Sequence, residues 1–301
     1  MSGNTTPPEL KCVALVGLGE AGGLLAQGLS QAGVSVAAYD IKIHDPVHSG
    51  ALLERAKACG ASLHDQLADA VSQADLVISA VTASSATRAA ADAAAHMKAG
   101  QYFLDINSVS PATKHADRDA VEAVGAYYVE SAVMAPVPPY GLRVPMLLGG
   151  RHAAALSESL NALGLKTRAV ATDIGVASAI KMCRSVMIKG LEALTVECMT
   201  AARRYGAEQA VLASLAETFP GMGWTEQLPH YLISRVAEHG RRRAAEMREV
   251  AETLTDVGVD PVMASATAKV QDALVDLMQD KGVAYPEGRF DWPSFTDALK
   301  P

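Results

Sequence analysis

The sequence predicts an α/β fold, in which a doubly wound sheet is followed by an all-helical C-terminal domain. Strand-like and helix-like segments alternate through the first half, which is typical of a parallel sheet covered by helices on both faces. After Asp173 the strand signal stops, and only helical patterns follow. The predicted organisation is therefore a flexible tail at residues 1–10, a sheet domain at 11–172 and an all-helical domain at 173–301.

Each element rests on its apolar pattern. Short apolar runs predict strands at 13–16, 34–40, 76–81, 102–106, 127–133, 145–148 and 166–171. Alanine-rich helical patterns occupy 84–97 and 153–163 between them. The helical half predicts helices at 176–205, 208–218, 228–238, 241–257 and 261–277. The first of these is proline-free and about 45 Å long, so we expect it to need a packing partner.

The first predicted strand ends in a glycine turn that opens a helix. Gly17 allows the tight turn, Gly19 lets the backbone approach a pyrophosphate, and Gly22 lets helix and strand pack closely. The second strand closes on Asp40, whose carboxylate would accept hydrogen bonds from the ribose hydroxyls of an adenosine. This order predicts a Rossmann-type dinucleotide-binding domain. The expected cofactor contacts are Gly17, Leu18, Gly19, Glu20, Ala21, Gly22, Asp40, Val81 and Asn107.

Asp40 favours NAD as the cofactor, because a carboxylate at this position repels the 2′-phosphate of NADP. Lys42 and His44 lie close along the chain and leave NADP possible. In the loop after the 102–106 strand, Asn107 and Ser108 are expected at the carboxyl end of the sheet, where ligands of α/β folds bind. Their alternative role is capping the helix that starts at Pro111, for which Ser110 is the most natural N-cap.

Composition excludes several classes of protein. The formal net charge of −7 argues against a general nucleic-acid binder, and no apolar run approaches the length of a membrane span. The start of the chain lacks the pattern of a signal peptide. The four cysteines show no metal-ligand spacing, which predicts free thiols in a reducing, cytoplasmic location. His44 and His48 have the HxxxH spacing of a helical metal pair, but Pro46 between them argues against a helix, so we predict no metal site.

Three polar residues interrupt the long apolar helix. Lys181, Ser185 and Lys189 are spaced four residues apart, which places them on nearly one face. They form either a polar stripe that faces a cleft or a solvated stripe whose lysines point to water, and periodicity alone favours the solvated stripe.

Taken together, these motifs resemble the β-hydroxyacid dehydrogenase family, which includes 3-hydroxyisobutyrate and 6-phosphogluconate dehydrogenases. The family's opening GLGxMGxxMAxNL is similar to residues 17–29, its DxSTxxP to residues 105–111, and its GxGxxxKxxxN to residues 175–185. The resemblance implies hydride transfer between a nicotinamide cofactor and a hydroxy acid or its oxo form. It also implies that Lys181 is the catalytic acid and base.

The departures from the family pattern concern the substrate. Ser185 stands where the family has asparagine, and Ala177 where it has a second glycine. The family's DAPVSGG loop appears as residues 130–136 and ends in Met134-Ala135-Pro136, which implies a more apolar pocket and a bulkier substrate. Ile188 replaces the glutamate that assists decarboxylation, so none is expected. The expected substrate contacts are Ser108, Met134, Ser185 and Lys189.

The sequence thus predicts an NAD(P)-dependent oxidoreductase with a small-molecule substrate, and neither nucleic acid nor a membrane as partner. A homodimer is expected, because a long apolar helix rarely stays covered in a monomer. One alternative is an imine or ketone reductase on the same scaffold. Lys181 argues against it and the altered 134–136 loop argues for it. The other alternative is a non-catalytic protein that senses the dinucleotide.

Overall fold

The computed structural model describes residues 6–300, within which the chain forms eight strands and eleven α-helices. Contacts divide the chain into two units, Met1–Lys181 and Met182–Pro301. The division falls inside the long helix rather than at the 172/173 boundary expected from the sequence, because the strands end at Ala171 but the first turns of that helix still pack with the sheet unit.

A single sheet with strand order β3-β2-β1-β4-β5-β6-β7-β8 forms the centre of the first unit. Its strands are β1 (Cys12–Val16), β2 (Ser35–Tyr39), β3 (Ser62–Leu63), β4 (Leu76–Ser79), β5 (Tyr102–Asp105), β6 (Tyr127–Val133), β7 (Pro145–Gly149) and β8 (Lys166–Ala171). The order reverses between β1 and β4, which is the switch point where doubly wound sheets bind dinucleotides.

The sheet is not parallel throughout, which corrects the prediction. β6 and β7 pair antiparallel, whereas every other neighbouring pair is parallel. The reason is the short connection between β6 and β7. Residues 134–144 contain only a short 3₁₀ turn at Gly141–Arg143, and a parallel pair would need a longer crossover, usually a helix. The two-residue strand β3 was also not predicted.

Helices cover both faces of this sheet. They are α1 (Glu20–Gln31), α2 (Ser49–Cys59), α3 (Leu67–Val71), α4 (Ala86–Ala94), α5 (Pro111–Glu122), α6 (Ala153–Ala162) and the start of α7 (Val176–Tyr205). One core layer packs α1 and α6 on the sheet, and another packs α4 and α5 on its opposite face. Ser110 caps α5, because its hydroxyl accepts from the Thr113 N–H at 3.3 Å. The predicted N-cap is confirmed.

The expected tail, residues 1–10, lies partly outside the described residues. In its described part the Ser159 hydroxyl donates to the Pro8 carbonyl at 2.6 Å, and the Leu10 side chain is buried. Residues 7–10 therefore lie against α6. Across the described part of the chain, no helix combines the length and the apolar character that crossing a bilayer requires.

The second unit contains the remainder of α7, together with α8 (Glu208–Thr218), α9 (Leu228–Asp256), α10 (Val262–Lys281) and α11 (Trp292–Ala298). The sequence predicted two helices where α9 runs without a break, so that prediction was wrong. Gly240, between the two predicted helices, lies inside α9 at the crossing with α10. A Cβ there would lie 2.5 Å from Val275 Cγ2 and 2.9 Å from the Gln271 carbonyl oxygen. Glycine is needed for close packing of the two helices.

We predict that Gly240→Ala destabilises the protein by roughly 1–3 kcal/mol, because the added methyl group overlaps the α10 backbone. The control is Gly190→Ala in α7, where the nearest atom to a new Cβ is Thr267 Oγ1 at 3.9 Å. This control should leave stability unchanged or raise it, since alanine favours a helix more than glycine does. Urea unfolding of both variants measures the difference. Equal stability of the two variants would contradict close packing at Gly240.

Candidate functional site

The turn after β1 has the stereochemistry that a dinucleotide pyrophosphate requires. Gly17 has φ +94°, in the left-handed region, and a Cβ there would lie 2.5 Å from the Ala80 carbonyl oxygen. A Cβ at Gly22 would lie 2.1 Å from the Gly17 carbonyl oxygen. Above Gly19, by contrast, a Cβ would meet no atom within 4 Å, and no side chain caps the start of α1. Open space beside free helix N–H groups fits a phosphate.

Asp40 lies beside this turn, as the sequence predicted. Its Oδ2 accepts from the Leu18 N–H at 2.9 Å, and its Oδ1 accepts from the Lys42 N–H at 3.0 Å. The carboxylate therefore holds the turn and the chain after β2 together. Arg55 on α2 also reaches the turn, since its Nη1 donates to the Leu18 carbonyl at 2.9 Å. Sequence reasoning missed Arg55, because nothing local links an exposed helix residue to a glycine turn.

Asn107 joins the carboxyl ends of β4 and β5. Its Oδ1 accepts from the Val81 N–H at 2.8 Å, and its Nδ2 donates to Ser79 Oγ at 2.9 Å. Val81 in turn borders the glycine turn, since a Cβ on Gly17 would lie 3.0 Å from Val81 Cγ1. The structure thus brings Val81, Asn107 and the glycine turn together at the switch point. The Asn107 amide braces two loops and does not cap α5, which excludes the capping alternative for this residue.

Glu130 anchors the start of α7. The carboxylate is fully buried and accepts from the N–H groups of Gly175, Ala177 and Ser178 at 2.8, 3.0 and 3.3 Å. Its negative charge stabilises the N-terminus of the helix. The sequence placed Glu130 both in the predicted strand at 127–133 and at the start of the substrate loop. The strand is confirmed as β6, and within it the side chain anchors a helix. One of the three donors is the N–H of Ala177, the residue that stands where the family pattern has its second glycine.

This anchor determines where α7 begins. In the sheet register Glu130 pairs with Asp105, the last residue of β5, so the first turn of α7 lies level with the carboxyl end of that strand. Lys181, half-buried, follows within the second turn and belongs to the same unit as the glycine turn.

Two predicted substrate contacts lie on the same sheet edge. Ser108 is in the loop after β5 and Met134 directly follows β6, and both side chains are half-buried. The Met134 N–H donates to the Pro145 carbonyl at 2.9 Å, so its backbone is held by the neighbouring strand. Because β5 and β6 are parallel neighbours, their carboxyl ends place Ser108 and Met134 at adjacent positions.

The other two predicted contacts lie in the second unit. Ser185 and Lys189 are both buried, so the solvated-stripe alternative is wrong for them. Lys189 Nζ forms an ion pair with Glu246 Oε2 at 2.5 Å, and burial lowers the pKa of Lys189 although Glu246 opposes the change. One turn further, Glu192 accepts from Arg243 Nε at 2.6 Å, and burial raises the pKa of Glu192 against the opposing effect of Arg243.

Within residues 6–300, histidine, cysteine and acidic side chains do not come together in any group of three that would hold a metal ion. All four cysteines are free thiols.

Two sequence profiles of known protein families match this chain, one in each unit. The sequence profile described as the NAD binding domain of 6-phosphogluconate dehydrogenase matches residues 12–137, and a second profile, described as a domain of unknown function (DUF1932), matches residues 202–274.

Among solved structures, a conserved hypothetical protein from Sinorhizobium meliloti 1021 is 39% identical over 99% of both chains, with a TM-score of 0.79. A conserved protein whose structure revealed similarity with 3-hydroxyacid dehydrogenases is 33% identical, with a TM-score of 0.72, over 88% of this chain and 97% of its own. The mitochondrial 3-hydroxyisobutyrate dehydrogenase of Drosophila melanogaster is 24% identical over 74% of this chain and 68% of its own.

We predict that Glu130→Gln lowers the free energy of unfolding by roughly 2–4 kcal/mol, because a neutral amide cannot accept from three helix N–H groups as a carboxylate does. The control is Glu158→Gln, at an exposed position on α6, which should change stability by less than about 0.5 kcal/mol. Denaturant unfolding reports both values. A loss no larger at Glu130 than at Glu158 would show that the anchor contributes little.

Proposed function

Because the chain belongs to the family that carries the NAD-binding domain of 6-phosphogluconate dehydrogenase, we propose that it is an NAD(P)-dependent dehydrogenase of a hydroxy acid or its oxo form. The observation that carries this proposal is the Glu130 anchor, since it places the helix of Lys181 at the end of the sheet where the glycine turn opens. When bound, the nicotinamide supplies the hydride acceptor or donor.

For the cofactor we propose the nine predicted residues around the switch point. The turn at Gly17, Leu18, Gly19 and Gly22 would hold the pyrophosphate, together with the N-terminal residues of α1, Glu20 and Ala21. Asp40 would bind the adenosine ribose, while Val81 and Asn107 border the other end of the site. NAD is the preferred form because the Asp40 carboxylate would repel the 2′-phosphate of NADP. NADP stays possible because Lys42 and Arg55, both cationic, lie beside Asp40 and the turn.

Lys181 would move the proton of the substrate hydroxyl. Its neutral amine accepts that proton during oxidation, and its ammonium stabilises the carbonyl oxygen during reduction. Ile188 offers no carboxyl group where relatives use glutamate, so the proposed reaction stops before decarboxylation.

The proposed substrate contacts are Ser108, Met134, Ser185 and Lys189. Met134 and the following Ala135-Pro136 offer apolar surface, and Pro136 has no N–H to donate, which favours a bulkier substrate than a small hydroxy acid. Lys189 is already paired with Glu246, so an anionic substrate would have to replace that carboxylate to bind the ammonium.

The test compares the wild type with Lys181→Met in a cofactor-absorbance assay, on hydroxy acids from small aliphatic to aromatic and on cyclic imines. We expect kcat to fall by about 10²- to 10⁴-fold while the Kd for NADH stays within about twofold. Lys166→Met, at an exposed lysine of the same unit, is the matched control and should keep full activity.

Full activity of Lys181→Met, or turnover of imines alone, would refute the lysine mechanism and favour the imine or ketone reductase. NADH binding with no turnover of any compound would favour the non-catalytic sensor.

We also propose that the protein is a homodimer through the exposed face of α7 in the second unit. Four exposed side chains, Cys183, Met187, Leu194 and Cys198, are spaced so that they share one side of the helix. Their order is symmetric about the middle of the segment. An antiparallel second copy would therefore bring Cys183 opposite Cys198 and Met187 opposite Leu194, as a two-fold interface requires.

Mild oxidation tests this arrangement. We expect the wild type to form a disulfide-linked dimer on a non-reducing gel, and Cys183→Ser and Cys198→Ser each to lose it, because every link joins one cysteine of each kind. Cys59→Ser, at a buried thiol, is the control and should still cross-link. A cross-linked dimer that persists in either single variant, or a monomeric mass by light scattering, would contradict the antiparallel pairing.

A further inference from the structure

A cluster of charged and polar side chains is buried at the carboxyl end of β5, and the function proposed above assigns no role to its members, Asp105, Lys114 and Tyr128. Asp105 and Lys114 are both fully buried. Lys114 Nζ lies 2.9 Å from Asp105 Oδ1 and also donates to the Asp105 carbonyl at 3.0 Å. The Tyr128 hydroxyl donates to Asp105 Oδ2 at 2.8 Å. A charge removed from water in this way needs all of these partners to stay in place.

Asp105 connects this cluster to the cofactor loops. Its Oδ1 also accepts from the N–H of Asn107 at 2.9 Å. Asn107 in turn holds the Val81 N–H, and Val81 borders Gly17. The Asp105 carboxylate is therefore linked to the glycine turn through Asn107 and Val81.

The loops that Asp105 holds through Asn107 and Val81 border one half of the proposed cofactor. Asp40, on the β2 side of the switch point, is the proposed adenosine ligand, whereas Val81 and Asn107 follow β4 and β5 on the opposite side. A dinucleotide that crosses the switch point has its second nucleoside on that opposite side. The loops that Asp105 braces therefore border the nicotinamide half.

A second buried carboxyl group, Asp117, lies one turn after Lys114 on α5. Neither of its oxygens has a hydrogen-bond partner of standard geometry within residues 6–300, although Thr87 on α4 and Asp105 on β5 are polar neighbours. Burial first, and then the charge of Asp105, raise the pKa of Asp117 to about 7, and Lys114 opposes the change. From β6, Tyr128 faces both Asp105 and Asp117, and Glu130 is a further charged neighbour of Tyr128.

We propose that Asp105 is a positioning residue for the nicotinamide half of the cofactor, and that protonated Asp117 keeps it in position. The proposal rests on the dinucleotide function proposed above. While Asp117 is protonated and neutral, the Lys114 ammonium compensates the charge of Asp105 alone. When Asp117 ionises, two carboxylates share one ammonium, and the repulsion acts on the carboxylate that holds Asn107.

The first experiment measures Kd by calorimetry for NADH and for ADP-ribose, which lacks the nicotinamide. Tyr128→Phe removes one hydrogen bond to Asp105 and keeps the shape of the ring. We expect roughly fivefold to twentyfold weaker NADH binding and less than about twofold change for ADP-ribose. Tyr102→Phe, at a buried tyrosine of the neighbouring strand β5, is the matched control and should bind both ligands normally.

The second experiment follows NADH binding from about pH 6 to about pH 8.5. Asp117 binds its proton below its raised pKa, so the wild type should bind most tightly at the acidic end and about threefold to tenfold more weakly at the alkaline end. Asp117→Asn should bind tightly and without this pH dependence. Asp119→Asn, at an exposed position of the same helix, should follow the wild type.

Equal weakening of NADH and ADP-ribose in Tyr128→Phe, unchanged binding of both, or the same pH profile in wild type and Asp117→Asn would overturn the positioning role. Failure of the wild type to bind either NADH or NADPH at any pH would instead refute the proposed function itself.

Discussion

The buried carboxylate of Glu130 is the interaction on which the arrangement of the first unit depends. It lies within a central strand, carries a charge away from water, and accepts from three N–H groups at the start of α7. Without that helix the buried charge would have no compensation, and without the charge the helix N–H groups would have no acceptor. Gly149 makes room for it, since a Cβ there would lie 2.5 Å from Glu130 Oε1. Sheet and helix therefore fold as one unit, and Lys181 is carried with them.

At the switch point, too, polar side chains hold backbone groups in place. Asp40 and Asn107 each use their side chains to hold backbone N–H groups of neighbouring loops, so the turn after β1 is braced from both sides. Loops that are already in place lose little entropy when a ligand binds. The Asp105 cluster below adds a charge-dependent element to this bracing.

Two buried ion pairs of the helical unit lie between α7 and α9. Lys189 pairs with Glu246 and Glu192 with Arg243, so the charges at this helix contact balance. Such pairs contribute little to stability compared with apolar packing, and their partners must face each other in one helix register. Gly240 permits the equally specific crossing of α9 and α10.

Local patterns in the sequence determined the order of most elements and the glycine turn with Asp40, because strand and helix periodicity and glycine stereochemistry act over a few residues. The bounds of β6, β8, α7 and α8 follow from those patterns alone. The antiparallel β7, the continuous α9, the anchoring role of Glu130, the reach of Arg55 and the burial of Lys114, Asp117 and Lys189 depend on the tertiary structure. Each involves residues distant in sequence, and whether a charged side chain faces water or a buried partner is decided only when those distant segments pack together.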